Sequence, residues 1–220
     1  MRIFFIALLF TISLSFNVFC QQSYVDPDIR STSLQKYREI GVSHPDFLKE
    51  ATIVLYKSPY PHIQWVGLYW EGPIAGALLI YDCSGKLLSI KKMGGVKSIQ
   101  FFNAPPEAGP AVVVESILTG TGCYEVDFSI FSLSKGKMNQ LFQHTKEKMH
   151  FEKPWKGGGR DIFEIEPSNP MDKDCERLSV EGIRKIYPPE SNDQTDFQVE
   201  KLQTEFYCWN DEKHIYSRCR

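Results

Sequence analysis

The chain is poor in the arrangements that most often announce a chemistry. No two cysteines form a C-x-x-C pair, which removes thioredoxin-like exchange and zinc ribbons. The histidines, His44, His62, His144, His150 and His214, are scattered and show no H-E-x-x-H or other ligand spacing. No serine sits in a G-x-S-x-G elbow. Positive charge is not in excess: the formal net charge is -2, so nucleic acid is not an expected partner. Past the N-terminus, no apolar run approaches the roughly 20 residues that a spanning helix needs. N-x-S/T sequons are absent as well, which leans toward bacterial export.

What is present starts with "MRIFFIALLFTISLSFNVFCQQ". A single positive charge at Arg2, an apolar run from Ile3 to Phe16 and polar Gln21-Gln22 read as a secretory signal over residues 1–20. Three processing readings stay open. Ser13 and Ser15 fit a cut after Ser15, Val18 and Cys20 fit a cut after Cys20, and the position of Cys20 also fits a lipidated first residue. The expected location is therefore periplasm, cell envelope or medium, with membrane contact only through lipid on Cys20. Residues 21–31 read as a flexible tether and 32–220 as one domain, strand-dense over 52–142 and looser over 143–220.

The fold class expected is mainly β, an antiparallel meander of propeller-like, sandwich or partial-barrel form, with one or two short N-terminal helices. Thr32 and Gln35 have capping-box spacing before a first helix ended by Gly41, and Ser43, Pro45 and Asp46 open a second candidate. After "SPYPH" come short β-branched and aromatic runs, punctuated by Gly72-Pro73, Ser84-Gly85, Gly94-Gly95, "NAPPEAGP" and Lys135-Gly136. "CYEVDFSIFSL" alternates, with Tyr124, Val126, Phe128 and Ile130 on one face and Glu125, Asp127, Ser129 and Phe131 on the other. "ALLI" and "AVVV" are apolar throughout, which suits strands covered on both sides. "PWKGGGRD" reads as a loop, "CERLSVEGIRKIYPP" as a helix or strand pair, and "FQVEKLQTEFYCW" with "KHIYSRC" as a closing hairpin. Cys208 and Cys219 flank that hairpin and form the favoured disulfide.

Gly120-Thr121-Gly122 is the most site-like glycine cluster. The residues after it are acidic and strand-forming, so it fits neither a phosphate loop nor a dinucleotide fingerprint, and a strand-to-strand turn accounts for it. Glu115, Glu125 and Asp127 flank the turn, and carboxylates brought together there would suit glycoside hydrolysis or a calcium ion, while a solvated polar face accounts for them as well. In "IQWVGLYW", Trp65 and Tyr69 share one face and Trp70 lies on the other. These three are the candidate binding aromatics, since exposed rings anchor sugars and proteins.

"IYDCSGKLLSI" from Ile80 and "IFSLSKGKMNQLF" from Ile130 echo each other. Together with the intervening "GTG", this order resembles uncharacterised exported bacterial proteins with FG-GAP-like or propeller-like hairpin repeats, over roughly Ile80 to Phe142. The calcium loop D-x-D-G-D of such repeats is missing, with "NAPPEAGP" where it would stand. The resemblance implies a β-hairpin architecture and no particular activity. The expectation is an exported, non-catalytic binding protein without metal or cofactor, whose partner is a protein or glycan. One alternative is a periplasmic hydrolase acting on glycans through the acids near Gly120; another is a purely structural envelope protein.

Overall fold

The computed structural model describes residues 29–39, 52–57, 62–69, 76–120, 123–151, 158–167, 177–188 and 197–219. Helix α1 (Ile29–Glu39) is followed by a four-stranded antiparallel sheet of β1 (Thr52–Lys57), β2 (Ile63–Tyr69), β3 (Gly76–Asp82) and β4 (Leu87–Met93), adjacent in chain order. A nine-stranded antiparallel sheet follows. Its strands are β5 (Gly95–Phe102), β6 (Ala111–Gly120), β7 (Cys123–Ser134), β8 (Lys137–Phe151), β9 (Gly158–Pro167), β10 (Arg177–Tyr187), β11 (Gln198–Lys201), β12 (Glu205–Asn210) and β13 (Ile215–Arg218). The protein is thus mainly β, a meander in two sheets, and neither sheet closes into a barrel.

The alternation of side chains explains the layers. In β3, Leu78 and Ile80 join Trp65 in a core shared with Val112, Val114 and Phe131 of the large sheet. The residues between them, Leu79 and Tyr81, point the other way and pack under Tyr37 of α1. The Ser33 hydroxyl of α1 lies 2.9 Å from the Tyr81 hydroxyl and ties the helix to that face. The "ALLI" run is therefore apolar throughout because it is covered on both sides. "AVVV" follows the same rule: Val112 and Val114 face the small sheet, while Ala111 and Val113 pack into a second core with Phe128 and Ile130. That second core also takes in Leu178, Val180 and Tyr216 from β10 and β13. The large sheet must coil for its two ends to meet there. Its inner face encloses the second core, and its outer face packs against the small sheet along β5 to β8.

Two glycines decide where the sheets meet. A Cβ on Gly67 would lie 2.3 Å from Val96 Cγ1, so the sheets approach too closely there for any side chain. At Gly94 the chain leaves β4 for β5 and so changes sheet, passing 2.5 Å from the Ile117 carbonyl oxygen at the same Cβ position.

The structure moves several boundaries. Helix α1 begins at Ile29, so residues 29–31 of the expected tether are helical, and Thr32 is internal rather than a cap. Residues 43–51, the second helical candidate, lie outside the described residues. Gly158 and Gly159 belong to β9, where pairing to Ile186 and Tyr187 of β10 extends a segment that composition alone reads as a loop. "RLSVEGIRKIY" is one strand. The large sheet runs without a break across residue 142, because β8 extends from Lys137 to Phe151.

Candidate functional site

Of the aromatic candidates, only Trp65 has a described side chain, and it does not reach the surface. Trp65 is 0% exposed and belongs to the core between the sheets, a correction to its expected outward role. The side chain of Tyr69 and all of Trp70 lie outside the described residues, as does Cys20. Cys208 and Cys219 are joined in a disulfide with a Cα–Cα distance of 5.2 Å.

The three acids separate. Glu115 stands opposite Phe128 in the β6–β7 register, which puts it on the inner face. Glu125 and Asp127, odd-numbered on the same strand, point to the other face. The expected approach of Glu115 to Glu125 therefore does not occur. Glu115 instead pairs with Lys146. Glu125 accepts a hydrogen bond from the Thr145 hydroxyl at 2.8 Å and lies 3.6 Å from the Lys148 ammonium.

Asp127 is nearly enclosed and ends a line of polar contacts. Gln143 Nε2 donates to its Oδ2 at 3.1 Å, and Gln140 Nε2 donates to Gln143 Oε1 at 2.6 Å. The Lys91 ammonium donates in turn to Gln140 Oε1. Burial pushes the Asp127 carboxyl up from its ordinary pKa, with Glu125 adding to the effect and Gln143, Thr145 and His144 opposing it. Burial likewise lowers the pKa of Lys91, which also sits 4.8 Å from the centre of the Phe131 ring. Lys91 belongs to β4 and Gln140 to β8, so the line bridges the two sheets. Its groups satisfy one another, which is what a polar tie between layers requires.

A different group of residues converges on the inner face toward the C-terminal strands. The His144 ring lies 4.9 Å from Phe163, 6.2 Å from Tyr207 and 6.3 Å from Phe142. Trp209 continues the cluster, 5.3 Å from Tyr216. His144, Phe163, Tyr207 and Trp209 are each half-buried, so the cluster is open on one side. Local register builds it. Phe163 lies opposite Gly182, and its ring passes 2.7 Å from where a Cβ at that position would be, so only glycine lets the ring lie flat on β10. Tyr207 and Trp209 alternate on β12 and so share a face.

Ion pairs surround these rings. Arg184 donates to Asp161 through Nε at 2.7 Å and Nη2 at 3.0 Å. Arg218 pairs with Glu205 at 2.9 Å, and the Tyr207 hydroxyl donates to the other Glu205 oxygen at 2.6 Å. Burial, reinforced by Glu205, pushes the Tyr207 phenol up to about 12. His144 Nδ1 donates to the Thr145 carbonyl at 2.7 Å, which leaves Nε2 as the acceptor of the neutral ring. The indole N–H of Trp209 is enclosed and finds no hydrogen-bond partner among the described residues. Such a group is costly unless something bonds it.

Sequence reasoning passed over these residues. The signal was there in the alternation of Phe142 with His144, Phe163 with Ile165 and Tyr207 with Trp209, but nothing in it says that three distant strands share one inner face. Among the described residues no group of three or more His, Cys, Asp or Glu is placed to hold a metal ion. No known family, curated protein or solved structure matches the chain.

Proposed function

We propose that the protein is an exported, non-catalytic binding protein of the cell envelope or its surroundings, and that its ligand is an uncharged glycan held on the inner aromatic face. The observation that carries this reading is the half-buried set His144, Phe163, Tyr207 and Trp209, ringed by internally paired charges. Flat rings offer stacking area at little conformational cost. The ion pairs leave neither sign dominant, so they present hydrogen-bonding groups rather than a field, which suits hydroxyl-rich ligands better than ionic ones. Export rests on the N-terminal segment. Both echoing segments fold as paired strands, β3–β4 and β7–β8.

The test is retention on immobilised neutral polysaccharides, with reducing ends measured in parallel. Wild type should be retained, Trp209→Leu should pass through, and Glu115→Gln and Glu125→Gln should be retained like wild type. Accumulation of reducing ends that stops in Glu125→Gln would transfer the reading to a hydrolase. Retention of Trp209→Leu at wild-type strength would remove the inner face as the site.

A further inference from the structure

The outer side of β9 and β10 faces away from the aromatic cluster. Three successive cross-strand rows there differ in character: Arg160 lies opposite Lys185, Ile162 opposite Ile183, and Glu164 opposite Glu181. The register has no shift, and Phe163 between the rows, with Ile165 and Val180 just beyond them, packs into the inner core, so all six share the outer face. Two of the rows set like charges side by side, which weakens a sheet standing alone. Arg160 is answered within the chain by Glu147 at 2.8 Å, and Lys185 sits 4.3 Å from the centre of the Phe197 ring. Glu164 and Glu181 are exposed and have no ion-pair partner among the described residues.

We propose that this face is the interface of a two-fold symmetric homodimer, covered by a second copy of the chain. In a face-to-face dimer the two-fold axis lies in the interface, and an isologous contact must be complementary to itself. An axis along the strands would set Arg160 against the partner's Lys185, basic on basic. An axis along the Ile162–Ile183 row, at right angles to the strands, sets Arg160 against the partner's Glu164 and Lys185 against the partner's Glu181. The isoleucines then meet their own copies. A uniformly charged partner would be repelled by one row whatever its sign, so a second copy fits this face better than a nucleic acid, an anionic glycan or a lipid surface.

The same axis accounts for two aromatics further out. Phe206 lies opposite Ser179, and Phe197, next to Gln198 opposite Ile186, stands beside Tyr187 at 5.8 Å between rings. Ser179 and Tyr187 are equally far from Ile183 along β10 in opposite directions, so the axis brings Phe206 over the partner's Phe197. Phe206 is 38% exposed in the single chain, with the Arg177 guanidinium 4.2 Å above its ring. From Ser179 to Tyr187 the contact spans about 27 Å at the usual rise of a strand. That is a small footprint, so the dimer belongs to the weak class, with dissociation on the order of 10 μM.

Sedimentation velocity on the full chain across about 1–100 μM tests this. The expected result is a concentration-dependent dimer that weakens with added salt. Glu181→Lys sets a lysine against the partner's Lys185 and should hold the chain monomeric throughout the range. The charge swap E181K/K185E restores opposite signs across the axis and should recover the dimer. Within one chain, Glu181→Lys turns the Glu164–Glu181 repulsion into attraction, so its unfolding midpoint should not fall, which separates a lost interface from a lost fold. A wild type that stays monomeric, a dimer indifferent to Glu181→Lys, or a charge swap that fails to restore association would each overturn the proposal.

Discussion

Gly67→Ala tests whether the two sheets pack where the structure joins them. The added methyl would sit 2.3 Å from Val96 Cγ1, 2.7 Å from Val96 Cβ and 3.3 Å from Ile99 Cδ1. Carbon atoms in ordinary contact stand about 3.5–4.0 Å apart, so the sheets or Val96 must move by about 1 Å. Val96 is fully buried in the core between the sheets, so it moves only against its neighbours. Overpacking of this kind costs about 1–3 kcal/mol, and the gain from replacing a strand glycine returns about 0.5–1 kcal/mol of that. The net expectation is a loss of about 1–2 kcal/mol. Urea unfolding followed by circular dichroism would read it as a midpoint lowered by about 0.5–1 M. Val96→Ala removes the methyl that clashes first, so the double variant should lose less than the sum of the two single losses. Gly159→Ala serves as control: only the Lys185 carbonyl oxygen comes near its Cβ, at 3.8 Å, so its midpoint should hold or rise. A Gly67→Ala midpoint equal to wild type would refute the sandwich contact at this point.

Three further outcomes are expected. Reducing the Cys208–Cys219 bridge, or replacing both residues with serine, should lower stability by about 3 kcal/mol from loop-closure entropy, read as a drop in unfolding midpoint on adding reductant. The Asp127 pKa is raised in the fold, so the folded state holds a proton more tightly than the unfolded chain; the stability from this group is greatest below the ordinary value of 3.8 and is lost as pH rises through the raised one. Asp127→Asn, which keeps an oxygen for Gln143, should match or exceed wild-type stability at neutral pH and lose that advantage below pH 3.8, as pH-dependent denaturation would show. Ultraviolet titration should find a tyrosine near 12, and Glu205→Gln should bring that midpoint part of the way toward the ordinary 10, burial keeping the rest of the shift.

The legible part of the fold is the part governed by local alternation and turn chemistry. The faces of β7, the double coverage of "ALLI" and "AVVV", the glycine-led hairpins at Gly85 and Gly136 with positive φ, and the closing disulfide all follow from residues close in sequence. What stayed hidden depends on contacts between distant segments. Trp65 has the composition of a surface anchor and of a core residue alike, and only the position of the second sheet decides between them. Glu115 and Glu125 lie close across a hairpin, yet the count of residues to the turn puts them on opposite faces. The glycines of β9 read as a loop because their pairing partner, β10, comes later in the chain. The inner aromatic face is the extreme case, since its rings come from β8, β9 and β12 and meet only because the large sheet coils.

Saturation-transfer NMR with neutral oligosaccharides is the most direct test of binding at that inner face. The expected result is transfer to sugar protons with wild type and its loss in Trp209→Leu and Phe163→Leu, each with an unchanged far-ultraviolet spectrum. Wild type that transfers to no sugar in the panel, or variants that transfer as wild type does, would contradict the central claim.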